Sequence, residues 1–358
     1  MAEHANGTGR GRRIAVTGAT GNVGTALLRR LVADDRVERI VGIAKRRPDL
    51  DLPRVDWATA DVGRDDLTTA LAGCDSVVHL AWQFQPTRDP AETWQANAVG
   101  SRRVFDAAAA AGAEVLIHAS SVGTYSAAPG RTVTEAWPTD AFPGACYSRE
   151  KGYVERVLDT VELAHPELRV VRMRPAFIFQ RSASTAQRRI FLGPLLPRGL
   201  LEPGRLPLLP LPAGLAFQAL HADDAALGYH RALFRDVRGA FNLAAEGVVD
   251  AEALGERLGT RTVAVPRLVV RSAMALAWRA RAIPAEPALF DLVSRLPLLD
   301  TSRARTELGW APRLTAVDAV EEVLDGIRRG AGGATPPLAP DSAAGRAAEV
   351  ATGVGAAY

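Results

Sequence analysis

The sequence has little cysteine, few histidines and almost no excess of charge of either sign. Its 358 residues include two cysteines, Cys74 and Cys146, which lie far apart with no second cysteine or histidine at metal-ligand spacing. We therefore expect neither a disulfide framework nor a metal site, and a reducing cytoplasm is the expected location. The 43 basic and 40 acidic residues are mixed along the chain, and a net charge of +3 gives no basic stripe. Nucleic acid is accordingly not an expected partner.

Long apolar runs are also missing. Residues 1–13 are polar and do not resemble a signal peptide, and we expect residues 1–12 to form a flexible tail. The most apolar later stretch, residues 190–220, contains six prolines, which predicts loops and no membrane-spanning helix. Residues 331–358 consist mostly of Ala, Gly, Pro and polar residues, so we predict a disordered tail there.

What the chain has in quantity is short apolar runs that alternate with stretches of helical spacing. Hydrophobic residues make up 47% of the sequence, which is enough for a large core. A β-branched run at residues 14–17 precedes apolar residues at helical spacing over residues 23–32. This alternation predicts an α/β fold with a doubly wound, parallel sheet of Rossmann type. Further strands are predicted at residues 39–44, 55–60, 76–81, 114–119 and 169–173, with a helix at 92–111.

The pattern changes after Pro175, which predicts a second, smaller unit. We assign residues 13–178 to the sheet domain and residues 179–330 mainly to a C-terminal lobe. A short apolar run near residues 241–243 is predicted to return to the main sheet as a strand. Helices of the lobe are predicted at residues 222–234, 251–258 and 267–281.

Three glycines form a turn between the first predicted strand and the first predicted helix. Gly18, Gly21 and Gly24 permit a tight backbone, and a helix N-terminus supplies N–H donors to an anion. Strand, glycine turn and helix in this order predict a dinucleotide site, so the sheet domain is interpreted as the dinucleotide-binding domain and the lobe as the substrate-binding one. Residues between the glycines that we assign to the cofactor site are Thr20, Asn22 and Val23.

The residues after the second and third strands bear on the choice of cofactor. Lys45 and Arg46 stand where an NAD-preferring site places a carboxylate, which favours NADP over NAD. The alternative is that they form a solvated basic turn. Asp61 and Val62 follow the third strand, where a carboxylate can accept a hydrogen bond from the adenine amino group. A helix cap is the alternative role for Asp61.

Three side chains are candidates for proton chemistry. Tyr147 and Lys151 lie four residues apart at the start of a predicted helix, so that both reach the same side. An ammonium group nearby favours the phenolate and makes the tyrosine a better general base. Ser121 follows a predicted strand and is placed to hydrogen-bond a substrate oxygen. We therefore predict Ser121, Tyr147 and Lys151 as catalytic residues.

Taken in order, these motifs resemble the extended short-chain dehydrogenase/reductase family, also called the NAD-dependent epimerase/dehydratase family. The likeness covers about residues 13–328. It implies that Leu80, Ala81, Asn97 and Pro175 lie near the cofactor, with Trp82 where the family commonly has alanine. It also suggests a homodimer formed through the helices at residues 92–111 and 148–164. Other family-like stretches are Val77-Val-His-Leu-Ala81, Asn97-Ala-Val-Gly-Ser101, Arg174-Pro175, His221-Ala-Asp-Asp224, Phe241-Asn-Leu243, Asp300-Thr-Ser-Arg-Ala304 and Leu308-Gly-Trp-Ala-Pro312.

Departures from the family pattern narrow the expected reaction. Val122 and Gly123 replace the acid pair of family dehydratases, which leaves water elimination without a general acid. Phe177 and Phe217 stand where nucleotide-sugar epimerases place an asparagine and a diphosphate-binding arginine. Apolar side chains cannot offset the desolvation of a diphosphate, so a UDP-sugar is disfavoured. A group of apolar residues predicts a greasy pocket, and the alternative is that they form only the core of the lobe. These residues are Phe179, Phe191, Leu195, Leu196, Leu200, Leu201 and Leu206.

The leading hypothesis is an NAD(P)-dependent oxidoreductase acting on a ketone or secondary alcohol of a mostly apolar small molecule. A sugar-type epimerase that retains NAD is the second. A non-catalytic protein that senses NADP(H) is the third, and the presence of Ser121, Tyr147 and Lys151 weighs against it.

Overall fold

A parallel sheet of seven strands forms the centre of the structure, a computed structural model that describes residues 11–86 and 88–354. In space the strands follow the order β7-β6-β5-β4-β1-β2-β3, with every neighbouring pair parallel. The order reverses beside β1, and this is where doubly wound sheets bind ligands. The strands are β1 (Arg12–Thr17), β2 (Val37–Ala44), β3 (Val55–Thr59), β4 (Ser76–His79), β5 (Val115–Ala119), β6 (Arg169–Pro175) and β7 (Gly239–Leu243).

Helices cover both faces of this sheet, because side chains alternate between the faces along each strand. Ile14 and Val16 pack in one core, and Ala15 between them packs in the other. The first core lies under α1 (Asn22–Val32) and α4 (Ala222–Phe234), and the second under α2 (Gly100–Ala110) and α3 (Cys146–Ala164). The predicted doubly wound α/β fold is confirmed.

The helix predicted at residues 92–111 has a more detailed form. It begins as Pro90–Trp94, passes through a π-helical stretch at Gln95–Val99 and continues as α2. A π-helical turn adds a residue to the helix and changes the direction of the side chains within it. Asn97 lies in this stretch and is buried.

Much of the chain after Pro175 forms the smaller lobe, but residues 222–234, which the sequence analysis predicted as a helix of the lobe, form α4 on a face of the main sheet. The run near residues 241–243 lies in β7 and pairs with β6 at the edge of the main sheet. Two short strands of the lobe, Leu208–Pro212 and Arg261–Val265, pair in parallel. Helices of the lobe are Ala251–Leu258, Arg267–Arg279, Pro287–Val293, Ser302–Glu307 and α5 (Ala316–Arg329). Shorter elements are Thr68–Leu71, Val122–Thr124, Thr132–Val133, Phe177–Phe179, Arg181–Ala183, Ser184–Gln187, Arg188–Leu192, Arg198–Leu201, Ala216–Phe217, Ala219–His221, Val249–Asp250 and Leu298–Leu299.

The prediction of a disordered tail from residue 331 is wrong for the part of it that the structure describes. Pro336–Leu338 forms a 3-10 turn, and α6 (Ala343–Thr352) follows it. A few buried side chains anchor this otherwise small and polar segment, namely Thr335, Leu338 and Val354. Composition averages over such anchors, so it underestimated the contacts the segment makes. Residues 355–358 lie outside the described residues.

The described part of the chain enters the main sheet almost at once. Residues 1–10 of the expected N-terminal tail lie outside the described residues, whereas Arg12 already belongs to β1. Within residues 11–86 and 88–354, none of the helices combines the length and the apolar character that crossing a membrane requires.

Candidate functional site

A cavity of about 710 Å³ opens at the carboxyl ends of the central strands, between the sheet domain and the lobe. A volume of this size is typical of small-molecule and cofactor sites. Every residue that the sequence analysis assigned to the site contributes to its wall. These residues are Gly18, Thr20, Gly21, Asn22, Val23, Gly24, Lys45, Arg46, Asp61, Val62, Leu80, Ala81, Trp82, Asn97, Ser121, Tyr147, Lys151 and Pro175.

The glycine turn packs closely against neighbouring backbone, which leaves no room for side chains at two of its glycines. Gly18 has φ +67°, and a Cβ atom there would lie 2.7 Å from the amide nitrogen of Ala81. A Cβ atom at Gly24 would lie 2.3 Å from the carbonyl oxygen of Gly18. Gly21 is the N-cap of α1, and no side chain of the described residues caps it. The N–H groups at this helix end are therefore open to an anion such as a pyrophosphate.

Two basic residues that follow β2 differ in whether they have an ion-pair partner. The ammonium of Lys45 lies 3.1 Å from a carboxylate oxygen of Asp61 and donates to the side chain of Gln83 at 2.9 Å. The other oxygen of Asp61 accepts from the amide of Gly63 at 2.9 Å. Arg46 is exposed and has no ion-pair partner among the described residues. Arg46 is thus the more available cation at this end of the cavity.

Ser121 and Tyr147 both lie beside Gly123, and a Cβ atom built at Gly123 would lie 3.4 Å from the hydroxyl oxygen of Ser121. The hydroxyl of Ser121 accepts from the amide of Gly123 at 2.9 Å. A Cβ atom at Gly123 would lie 3.0 Å from the ring of Tyr147, so this ring occupies the space that a side chain there would need. The acid that family dehydratases place at position 123 is missing here, and the ring of Tyr147 fills the space its side chain would need.

Burial perturbs the two titratable members of the predicted triad in opposite senses. The packing around the hydroxyl raises the pKa of Tyr147 to about 12, and the hydrogen bond with Ser121 opposes that rise. Burial also lowers the pKa of Lys151 well below its ordinary value, against the charges of Glu150 and Glu155. The phenol is therefore protonated at neutral pH in the ligand-free protein.

Lys151 lies one helical turn from Tyr147 and makes two close contacts. Its ammonium donates to the carbonyl oxygen of Ala119 at 2.5 Å and lies 3.3 Å from the centre of the Trp82 ring. The indole N–H of Trp82 is buried and has no hydrogen-bond partner among the described residues. Because the Trp82 ring covers the ammonium, a cation–π contact joins the two side chains in the cavity wall.

A network of buried polar groups supports α3. Asn97 donates to the carboxylate of Glu150 at 2.7 Å and also fixes both backbone groups of Gln83, at 2.7 Å and 2.8 Å. Asn97 thus reaches the cavity from the π-helical stretch while it holds the loop that carries Trp82. Glu155 accepts from Arg174 at 2.6 Å and from Ser120 at 2.5 Å, which ties α3 to β5 and β6.

Aromatic rings form the opposite wall, and Phe84 among them was missed by the sequence analysis. Phe84 stacks on Tyr147 with ring centres 4.9 Å apart, and the ring of Phe191 lies 6.2 Å beyond it. Phe177 packs against Phe217 at 5.3 Å, so the two positions that differ from nucleotide-sugar epimerases meet in one apolar contact.

The expectation of a greasy pocket is met by a partly different set of residues. Of the apolar residues named from the sequence, Phe179 and Phe191 line the cavity. The five leucines named with them do not line it, which speaks against the pocket alternative for Leu195, Leu196, Leu200, Leu201 and Leu206. Their places are taken by residues distant in sequence, because Pro- and Leu-rich composition cannot show which leucines face inward. The additional apolar residues are Ile178, Ile190, Leu289, Leu292, Val293, Leu296, Pro337 and Leu338.

Tyr229 on α4 is the second residue that the sequence analysis missed. It lines the cavity, it is fully buried, and its hydroxyl has no hydrogen-bond partner among the described residues. Burial, together with the nearby Tyr147, raises its pKa. A buried hydroxyl without a partner is costly, so this one is available to a polar atom of a bound molecule. No sequence signal distinguishes it from an ordinary core tyrosine. No cluster of metal-ligating side chains occurs in the parts of the chain that the structure describes.

Comparisons with known proteins agree with this fold. A region of residues 14–244 matches the family described as "NAD dependent epimerase/dehydratase family". An uncharacterized protein of Mycobacterium tuberculosis is 28% identical over 320 residues, which are 88% of this chain and 30% of that protein. The chain therefore spans less than a third of the length of that relative. The sterol demethylase protein B of Methylococcus capsulatus is 34% identical over 170 residues, covering 46% of this chain and 50% of that protein.

A solved structure shows the same fold. The structure of MoeE5 in complex with UDP-glucuronic acid and NAD superimposes with a TM-score of 0.66 at 20% identity, and covers 88% of this chain and 99% of that one. Together with the match over residues 14–244, this confirms the resemblance predicted from the motifs. The chain belongs to the NAD dependent epimerase/dehydratase family.

Proposed function

We propose that this chain is an oxidoreductase that transfers a hydride between NADP(H) and a ketone or secondary alcohol of a mostly apolar small molecule. The observation that carries the proposal is the position of Ser121 and Tyr147, which lie together beside Gly123 where the glycine-turn half of the cavity meets its aromatic half. When bound, the nicotinamide supplies or accepts the hydride. The proton chemistry falls to the protein.

Tyr147 is the proposed general acid and base. Its pKa of about 12 in the ligand-free protein keeps the phenol protonated, so it can donate a proton to a carbonyl oxygen during reduction. Ser121 hydrogen-bonds the same substrate oxygen and stabilises the charge that develops on it. The ammonium of Lys151 lies 6.0 Å from the centre of the Tyr147 ring, and when protonated it favours the phenolate that alcohol oxidation requires.

Distinct parts of the cavity would hold the parts of the cofactor. The N–H groups around Gly21 would bind the pyrophosphate, and Asp61 with Val62 would contact the adenine. Arg46 supports NADP, because it is an exposed cation without an ion-pair partner among the described residues. Lys45 supports it less, since it is already shared with Asp61. NAD is the alternative, as in the solved MoeE5 complex.

An apolar substrate is supported by the charges of the wall. The cationic side chains that line the cavity are Lys45, Arg46, Arg64 and Lys151, and all four belong to the half formed by the glycine turn, the ends of β2 and β3 and the catalytic helix. Among the residues that the structure describes, the wall opposite offers no guanidinium to a sugar diphosphate. The likeness to a sterol demethylase protein agrees with an apolar substrate.

A sugar-type epimerase with retained NAD is the second candidate. The likeness to a structure that contains UDP-glucuronic acid and NAD favours it. Such an enzyme would contain tightly held NAD after purification and would show no net turnover of added cofactor. The homodimer and the cytoplasmic location remain predictions.

The test of the proposal is oxidation of NADPH by the purified protein across a panel of apolar ketones and aldehydes. We expect turnover with bulky apolar ketones and a loss of it in Tyr147→Phe. No oxidation of NADPH with any carbonyl compound, from protein shown to bind NADPH, would overturn the oxidoreductase assignment. Retained NAD under the same conditions would move the assignment to the epimerase.

A further inference from the structure

The segment of residues 331–354, here called the closing segment, contacts the glycine turn directly. The hydroxyl of Thr335 donates to the carbonyl oxygen of Thr20 at 2.7 Å. Both residues are buried, at 2% and 5% exposure. Thr20 lies between Gly18 and Gly21, so this bond fixes a peptide group in the middle of the turn that leads into α1. A contact between positions so distant in sequence is made only in the folded protein.

The closing segment also forms part of the cavity wall. Pro337 and Leu338 line the same cavity as the glycine turn, and Leu338 is only 3% exposed. A tight turn presents them, since Leu338 donates to the carbonyl oxygen of Thr335 at 3.0 Å and accepts from the amide of Gly333 at 2.6 Å. A Cβ atom at Gly332 would lie 2.3 Å from the nitrogen of Pro340, so the turn closes tightly on itself.

A cluster of charges holds the closing segment on the lobe. The side chain of Asp341 is 2% exposed and lies 2.6 Å from Arg346, 3.0 Å from Arg198 and 3.4 Å from Arg188. Glu349 on α6 contacts the buried guanidinium of Arg188 at 2.5 Å. Each buried carboxylate thus has charged partners, which is the condition under which burial of charge is tolerated.

The charge cluster also connects the closing segment to the other half of the cavity. Arg188 begins the π-helical stretch Arg188–Leu192, whose Ile190 and Phe191 line the aromatic wall. One segment therefore contacts the glycine turn through Thr335 and the element of the substrate wall through Asp341 and Glu349.

We infer that the closing segment is part of the dinucleotide site: Thr335 positions the glycine turn, and Pro337 with Leu338 covers the crevice above it. The inference rests on the proposed binding of a dinucleotide. Because these groups close the wall beside the turn, a bound dinucleotide leaves only after the segment loosens. Removing its contacts should therefore weaken binding mainly by accelerating release.

The first test compares two conservative variants by fluorescence titration with NADPH. Thr335→Val removes the hydroxyl that bonds Thr20, whereas Thr352→Val removes an exposed hydroxyl of the same segment that bonds only within α6. We expect the dissociation constant of NADPH to rise about 3- to 10-fold in Thr335→Val, as for one lost buried hydrogen bond, and to stay unchanged in Thr352→Val.

The second test follows NADPH release by stopped-flow fluorescence in Asp341→Asn and in a chain ending at Gly330. Faster release is expected in both, on the order of tenfold in the shortened chain if the crevice is opened. Circular dichroism and the melting temperature report whether each variant keeps its fold. Should the shortened chain not fold, Thr335→Val and Asp341→Asn decide the question.

The outcomes separate this inference from the proposed function. Folded Thr335→Val and Asp341→Asn proteins that bind and release NADPH like the unaltered chain would overturn the role of the closing segment and leave the proposed function intact. An unaltered chain that binds neither NADPH nor NADH would overturn both. Slower turnover with unchanged binding would place the segment's effect on the substrate wall and would contradict the inference.

Discussion

The two halves of the cavity are built in different ways. The half under the glycine turn is made largely of backbone, where Gly18 and Gly24 leave no space for side chains and β1 delivers the chain to α1. The aromatic half is made of side chains from distant segments, among them Phe84, Phe191 and Leu289. Backbone shape follows from local residues, whereas a side-chain wall depends on the whole packing. Under the proposed function, the first half would determine which cofactor class fits, and the second which substrate does.

The largest expected effect comes from the residue at which the two halves meet. Tyr147→Phe removes the proton donor, so kcat for ketone reduction should fall by about 100- to 10,000-fold. The dissociation constant of NADPH should stay within about twofold, because the ring that packs on Phe84 is retained. Steady-state kinetics and fluorescence titration measure the two quantities.

Tyr153→Phe is the matched control, since Tyr153 is on the same helix but is 46% exposed. It should leave kcat unchanged. If Tyr147→Phe retained more than about a tenth of the activity, general acid catalysis by this phenol would be contradicted.

Adding one methyl group should disrupt the half of the cavity that is built from backbone and leave the aromatic half intact. In Gly18→Ala the new Cβ atom would lie 2.7 Å from the amide of Ala81, and the turn would have to move. We expect NADPH binding to weaken by about 100-fold or more, because the anion-binding N–H groups would shift with the turn.

Gly112→Ala provides the control for the positive φ itself. Gly112 has φ +71° with nothing within 4 Å of a Cβ atom, so the substitution should cost only about 1–2 kcal/mol of folding free energy. Thermal melts and NADPH titrations of both variants separate strain from clash. Equal NADPH affinity in Gly18→Ala and the unaltered chain would contradict the assigned location of the pyrophosphate.

The choice between NADP and NAD is expected to depend on one side chain at the end of β2. Arg46→Ala should raise the dissociation constant of NADPH about tenfold and leave that of NADH unchanged, because a 2′-phosphate would lose one charge-assisted contact. The neighbouring Arg47 is exposed and does not line the cavity, so Arg47→Ala is the control. A parallel loss for both cofactors in Arg46→Ala would show that Arg46 does not distinguish them.

The smallest expected effect concerns the side-chain half. Phe191→Ala should raise KM for an apolar ketone about fivefold with unchanged NADPH affinity, since part of an apolar contact is lost. Leu195→Ala is the control: Leu195 is in the same segment, is 63% exposed and does not line the cavity. Identical kinetics in the two variants would argue against this wall as the substrate surface.

The contrast between the halves also explains what the sequence could predict. The strand, glycine turn and helix around Gly18 to Gly24 are encoded by adjacent residues, and periodicity located the sheet strands to within a few positions. Ser121, Tyr147 and Lys151 follow the same logic, because each lies at the end of a strand or the start of a helix.

The aromatic half and the closing segment could not be predicted in this way. Phe84 follows β4 in an irregular loop, and Tyr229 has the spacing of an ordinary core residue. The order of the closing segment depends on Thr335 and Asp341, which bond Thr20 and Arg198 more than 100 positions away. Only the folded chain brings these residues to the cavity.

Transfer of deuterium tests the central claim most directly. The purified protein would be given NADPH deuterated at the transferable position together with an apolar ketone, and the alcohol product would be analysed by mass spectrometry and NMR. We predict one deuterium on the carbinol carbon of the product, with a single stereochemistry. In a separate reaction with unlabelled NADPH in deuterated solvent, we predict no deuterium at that carbon. An alcohol without deuterium from the cofactor, formed by protein whose activity disappears in Tyr147→Phe, would contradict direct hydride transfer at this site.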